Sequence, residues 1–307
     1  MSNPSFTGRL KSCEGCPRLC GVNRLEGEMG FCRVGADVKI SFAGLHHGEE
    51  PPISGSRGSG TIFFAGCNLR CVFCQNHQIS QDFHQTSLRT LSIEALAGEM
   101  LRLQEMGAHN INFVSPSHMV YQMAEAIAEA KSRSLTIPVV YNSNGYDSLQ
   151  ALRQIRGLVD IFLPDIKYCD NELGRKYSNV DNYADHIGDV LREMLDTAGH
   201  LELDSEGVAL RGVLVRHLVL PGHLENSRKA LRTLAGLSPE IAVSIMSQYS
   251  PQYRAHRYPE INRPLRKDEY DAITDYALEL RLENAFIQEL TSQSHYLPHF
   301  EDDRPFD

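Results

Sequence analysis

At 307 residues the chain can bury one large core without a second domain, and with 42% apolar and 22% charged residues it shows none of the depletion that marks a disordered polymer. It has no stretch of about 18 consecutive apolar residues, and residues 1–11 lack the apolar segment that directs export, so a cytoplasmic protein without a membrane span is expected. The formal net charge of −9, with no clustered basic run, argues against a nucleic-acid surface.

Cysteine is the first feature along the chain. There are eight, seven of them in two tight groups, and in a chain of this length such clustering favours metal or cluster ligation over disulfides. Cys13, Cys16, Cys20 and Cys32, interleaved with the turn glycines Gly27 and Gly30, offer four soft ligands to a zinc ion or to an iron–sulfur cluster; free thiols are the plain alternative. Full cysteine ligation would close that site, which suits structure or electron transfer better than substrate activation. Residues 40–60 are dense in Gly, Pro and Ser and read as a loop. Within it, His46, His47, Glu49 and Glu50 read either as the lining of a site or as an ordinary polar surface.

Beyond this loop, short apolar runs alternate with helical patterns, the mark of a parallel sheet. Strands are predicted at Ile62–Ala65, Ile111–Val114, Val139–Tyr141, Val159–Leu163, Val213–Val219 and Ile241–Met246. Helices are predicted through Ile93 to Leu103, with Thr90 or Ser92 as the cap and Gly107 as the stop, and through Val120 to Ile127, Ile187 to Leu195 and Tyr270 to Leu280. The implied fold is α/β, a partial (β/α)6 TIM-like barrel (61–283) with an N-terminal cysteine-rich extension and loop (1–60) and a C-terminal tail (284–307), whose acidic end is expected to be solvated.

Directly after the first predicted strand, Gly66-Cys67-Asn68-Leu69-Arg70-Cys71-Val72-Phe73-Cys74-Gln75-Asn76 places three thiols in eight residues. One short loop of this kind wraps three thiolates around a cube of iron and sulfide, whose fourth iron is left open to an exogenous ligand. An open iron separates a catalytic cluster from an electron carrier, and Phe73 would shield it from water. Zinc is the competing occupant, with His77 as the fourth ligand.

The triad, with an aromatic residue before its third cysteine, resembles the signature of the radical S-adenosylmethionine superfamily. Within that superfamily the phrases Gly66 to Asn76, Asn142-Ser143-Asn144-Gly145, Pro164-Asp165-Ile166-Lys167 and Val215-Arg216-His217-Leu218-Val219-Leu220-Pro221-Gly222 are similar to the pyruvate formate-lyase activating enzyme branch. The resemblance extends from about Cys13 to Pro264. It is strongest to uncharacterised activating-enzyme-like proteins that share the N-terminal cysteine box and the Met246-Ser247-Gln248-Tyr249 phrase.

What the resemblance implies is specific. Cys67, Cys71 and Cys74 would hold the 4Fe-4S cluster. Ser115, Asn142, Ser143, Asn144, Asp165, Lys167, Arg216 and Gln248 stand at the carboxyl ends of strands, where barrel loops converge, and would hold S-adenosylmethionine. Ser115-Pro116-Ser117 stands where the family commonly has Gly-Gly-Glu. In the activating enzyme an aspartate matches Asn142 and joins the equivalent of Asp165 around a monovalent cation; the neutral Asn142 removes one charge, so an identical cation site is not expected. The implied reaction is reductive cleavage of S-adenosylmethionine to a 5′-deoxyadenosyl radical that abstracts hydrogen. Its electron comes from flavodoxin or ferredoxin, and one target is a glycyl residue of a partner protein, a glycyl-radical enzyme. The rival class is a non-catalytic iron–sulfur or zinc protein acting as redox carrier or scaffold. Cys169 stands alone as a small side chain near the barrel mouth or a reactive thiol.

Overall fold

A computed structural model describes residues 6–83, 87–290, 297–300, 302 and 305–306. In chain order the elements are β1 (Val38–His46), α1 (Pro51–Ser54), β2 (Ser59–Phe64), α2 (His77–Ser80), β3 (Arg89–Leu91), α3 (Ile93–Glu105), β4 (Ile111–Val114), α4 (Val120–Ser132), β5 (Val139–Asn142), α5 (Leu149–Gln154), β6 (Ile161–Phe162), α6 (Asn171–Ser178), α7 (Tyr183–Ala198), β7 (Glu202–Leu203), β8 (Ala209–Leu218), α8 (Leu224–Leu237), β9 (Ala242–Met246), α9 (Lys267–Glu279) and β10 (Ala285–Ile287). The sheet runs β10-β9-β8-β6-β5-β4-β2-β1-β3, with β7 paired to β8 off this path. From β2 to β10 every neighbouring pair is parallel, whereas β1 and β3 join antiparallel. The two end strands do not meet, so this is an open, partial barrel.

The strands sort their residues by the two-residue period of extended chain. Tyr141, Phe162, Val213, Val215, Val243 and Ile245 face the main core. That core takes the buried stripes of the helices, among them Leu96, Ala97, Met100 and Leu103 of α3. On the opposite face Val140, Ile161, Leu163, Leu214 and Ala242 form a second apolar cluster, plugged by Ile53 of α1. Two residues further along the same face come Asn142 on β5, Asp165 after β6 and Arg216 on β8. The inner face thus turns from apolar to polar within one step of the pleat.

All six predicted strands and four predicted helices form. The helix α3 starts at Ser92, whose hydroxyl accepts from the Ala95 N–H at 3.2 Å, and Gly107 follows it at φ +90°. Residues 40–60 are not one loop: β1 occupies most of the first half, because Val38, Ile40, Gly44 and His46 bury against the core while the backbone pairs with β2. β10 extends the parallel set to seven strands, inside the segment read as tail. Of the acidic end, Phe306 packs on Phe42 and Phe63 rather than standing in solvent; residues 301, 303, 304 and 307 lie outside the described residues. The cysteine-rich segment is tied down by Arg24, 2% exposed, whose guanidinium donates to the carbonyls of Gly35 (2.9 and 2.6 Å) and His118 (2.7 Å).

Gly145, which ends the β5 loop, has φ +77°, and a Cβ there would lie 2.2 Å from the Asp165 carbonyl oxygen and 2.6 Å from the Tyr183 hydroxyl. Gly145→Ala should therefore cost about 2–3 kcal/mol of stability, from overpacking and left-handed strain together. A urea titration that finds no change in midpoint would contradict this.

Candidate active site

The loop from Gly66 to Asn76 leaves β2 and is gripped from several sides. Gly66, at φ +80°, lets the chain pass the Cys32 carbonyl, which a Cβ would approach to 2.6 Å. The Arg70 N–H donates to the Ser178 carbonyl at 3.0 Å, the Val72 N–H to Tyr177 at 2.8 Å, and the Arg254 N–H to the Val72 carbonyl at 2.8 Å. Gln81 Nε2 donates to the Cys71 carbonyl at 2.9 Å. Each thiol also has a polar neighbour: Asn144 Nδ2 at 3.4 Å from Cys67, the Ser178 hydroxyl at 3.0 Å from Cys71 and the Ser80 hydroxyl at 3.4 Å from Cys74. Donors of this kind orient sulfur ligands and tune what they bind. Burial pushes the Cys67 thiol up to about 11 and Cys74 to about 12, each with a neighbouring sulfur adding to the rise. Only a bound cation would hold them as thiolates at neutral pH.

Cys67, Cys71 and Cys74 line one pocket together with Ser115, Asn142, Ser143, Asn144, Asp165, Lys167, Arg216 and Gln248. Every residue marked for the cluster and the cofactor therefore shares one cavity, although the chain separates the first from the last by about 180 positions. Their side chains are not equally available. Ser143 donates to Asp147 at 2.6 Å, and Asn144 Nδ2 also reaches Asn68 Oδ1 at 2.7 Å. Ser115 takes φ +58° at the end of β4, and its N–H donates to the Asn142 carbonyl at 2.9 Å. Phe73 is buried edge-on against Tyr249, ring centroids 5.7 Å apart.

The charge in the cavity is concentrated on Arg216. Its Nε donates to Asp165 at 3.0 Å, one terminal nitrogen to Asn142 Oδ1 at 2.6 Å and the other to Glu49 at 3.4 Å, with Glu50 at 4.0 Å. Lys167 pairs with Asp165 at 2.6 Å. Burial alone would raise Asp165, but Arg216 and Lys167 outweigh it and hold the carboxyl below its usual range. Glu49 and Glu50, the half-read residues of the 40–60 segment, form the floor behind Arg216 in an adjoining pocket that also takes in His46. Burial raises both, Glu50 to about 7, and the neighbouring carboxylates add to the rise while Arg216 opposes it. The buried Asp147, which accepts from Tyr141 at 2.8 Å as well as from Ser143, was not foreseen: an Asp before Ser148, the cap of α5, reads as turn chemistry.

Two sequence alternatives fall outside this cavity. His77 stacks on Tyr253, centroids 4.6 Å apart, and pairs with Asp82 at 3.9 Å. Cys169 sits 3.9 Å from the Thr233 hydroxyl of α8.

Cys13, Cys16, Cys20 and Cys32 converge on a second, much smaller void, walled also by Arg18, Asn68 and His118. Asn68 belongs to the cysteine loop of the main site, and Arg18 Nε donates to its carbonyl at 2.9 Å. The four thiols suit a soft cation, and burial pushes Cys16 up to about 12. Among the described residues no three or more His, Cys, Asp or Glu side chains gather around a single ion-sized point. The thiols of both loops border voids instead.

Comparison with known proteins shows the family. The family model of the Radical SAM superfamily matches residues 61–235, and members of that superfamily work with a 4Fe-4S cluster and S-adenosylmethionine. An uncharacterized protein of Methanocaldococcus jannaschii is 34% identical over 280 residues, 89% of this chain and 76% of that protein. SuiB of Streptococcus suis bound to the precursor peptide SuiA aligns with a TM-score of 0.50 at 8% identity, over 73% of this chain and 47% of SuiB. SuiB bound to S-adenosylmethionine gives 0.47 at 8% identity, over 73% and 45%. The chain spans about half the length of SuiB, and the likeness concerns the fold. With a family model covering more than half its length and a relative matched over most of it, the chain belongs to the radical S-adenosylmethionine superfamily.

Proposed function

We propose that Cys67, Cys71 and Cys74 hold a 4Fe-4S cluster with one open iron, and that the cavity beside them binds S-adenosylmethionine for reductive cleavage. The observation that carries this reading is the meeting of three thiols and a largely buried Asp165–Lys167–Arg216 ion network in one pocket. A redox carrier or scaffold needs no such charged cavity beside its thiols.

When bound and reduced, the cluster supplies the one-electron cleavage of the sulfonium that initiates hydrogen abstraction. The chain's own residues bind and orient. Lys167 and Arg216 present fixed positive charge to the methionine carboxylate, while Asp165, Asn142, Ser143 and Asn144 offer acceptors and amide donors to the amine and ribose. Ser115 contributes backbone groups at the turn after β4, and Gln248 closes the far side. The packed rings of Phe73 and Tyr249 keep water away from the sulfur-rich end. In the N-terminal box, Cys13, Cys16, Cys20 and Cys32 bind a zinc ion or a second iron–sulfur cluster. The electron comes from flavodoxin or ferredoxin, in a cytoplasmic setting whose reducing poise keeps thiols available. For the target we adopt a glycyl residue of a partner protein, supported by the resemblance to the activating enzyme branch.

Anaerobically reconstituted protein given dithionite and S-adenosylmethionine should release 5′-deoxyadenosine, and Cys67→Ala should lose both iron and nucleoside. An intact cluster that yields no nucleoside would return the chain to the carrier class. With a glycyl-radical enzyme as partner, a persistent organic radical should appear by electron paramagnetic resonance; nucleoside release without that signal removes this target and leaves the cleavage standing.

Glu50 gives a pH signature. Its carboxyl is raised to about 7 in the fold from about 4.5, so the folded state binds more protons between those values and stability falls as pH rises through them. The neutral isostere in Glu50→Gln escapes this penalty. The melting temperature of the variant should gain on the native chain from pH 5 to pH 8, and a constant difference would refute the assignment.

A further inference from the structure

We propose that the outer face of the cysteine loop is the docking surface for a small, acidic one-electron carrier. This rests on the function proposed above, since only a cluster that must be reduced needs such a partner.

An open depression of about 380 Å³ lies against the loop, and its wall gathers Arg33, Arg70, Arg175, Lys176 and Arg254 around a single carboxylate, Asp82. Two of the five cations are neutralised, Arg175 by Asp181 at 2.6 Å and Lys176 by Glu260 at 2.5 Å. The other three have no carboxylate partner among the described residues. Arg33 donates to the Gln81 carbonyl at 3.2 Å, Arg70 to the Phe31 carbonyl, and the Arg254 guanidinium stacks over Tyr253 at 4.6 Å. Asp82 faces His77 at 3.9 Å. The depression is therefore cationic on a chain whose net charge is −9. An acidic protein is repelled by the rest of the molecule and steered to this face.

The loop's alternation connects the patch to the redox centre. Cys71 and Phe73 face the inner pocket, whereas Arg70 and Val72 face the depression. Val72 is clamped there by its backbone bonds to Tyr177 and Arg254, so one peptide link separates the wall from the Cys71 ligand. The inner pocket must hold cofactor and substrate, which leaves this outer face as the short route for an electron. In the transfer the reduced carrier loses one electron and the cluster gains it; no proton or group moves. No run of basic residues marks this face, because its members lie at positions 33, 70, 175, 176 and 254, and only the fold collects them.

The test compares two reductants on the reconstituted holoenzyme, using a purified flavodoxin as the protein donor and dithionite as the small one. With Arg33→Glu combined with Arg254→Glu, flavodoxin-driven 5′-deoxyadenosine formation at low salt should fall about tenfold or more, while the dithionite-driven rate stays within about twofold. In the native chain, added salt should slow the flavodoxin reaction steeply and leave the dithionite reaction nearly unchanged. If the charge reversals leave the flavodoxin rate intact, or lower both rates equally, the surface is not a donor site and the proposal falls. If the native chain forms no nucleoside even with dithionite, the failure lies with the function itself, and the docking surface falls with it.

Discussion

Arg216 carries the inner face of this barrel. Moving a guanidinium out of water costs several kcal/mol, and the cost is offset only where good hydrogen bonds and opposite charge meet it. Here they come from β5 through Asn142, from the end of β6 through Asp165, and from the segment after β1 through Glu49. The same side chain keeps three carboxylates from facing one another. Breaking such a buried pair by deleting one member typically costs about 3–5 kcal/mol. An open sheet has no ring closure to hold its strands in register at the mouth, and this network ties four segments together there.

The position of that network follows from the pleat. One step below it, Val140, Leu163 and Leu214 pack around Ile53 as a buried apolar cluster. One step above it, the strands end and their loops diverge. A polar cavity can form only in the layer between, beside the loop that carries the three thiols. The thiols themselves are prearranged by polar groups from α6, from the β5 loop and from Ser80 at the end of α2. Orientation of this kind lowers the cost of collecting ligands around one centre.

Much of this was legible in the chain. The six inner strands announced themselves because parallel strands covered on both faces read as short, nearly continuous apolar runs. The helix stripes were equally plain, and Cys67, Cys71 and Cys74 stand within one loop. The edge strands were not legible. β1 mixes Lys39, Ser41 and Gly44 into its pattern, and it becomes a strand because β2 supplies a hydrogen-bonding edge. β10 spans three residues and depends in the same way on β9. Glu49 and Glu50 could be read as mouth or as surface, since nothing local says that Arg216 will arrive beside them.

Alone, the sequence determined what is local: the periods that make strands and helices, the spacing of thiols within one loop, and the residue types at strand ends. Only the tertiary structure decided which distant groups meet. The gathering of Asp165, Asn142 and Glu49 on one guanidinium, the convergence of Cys13 and Cys32, and the basic wall behind Val72 all join residues far apart in the chain. The physical reason is that charge and hydrogen bonding act through space over a few ångströms, and a one-dimensional pattern carries no record of those distances.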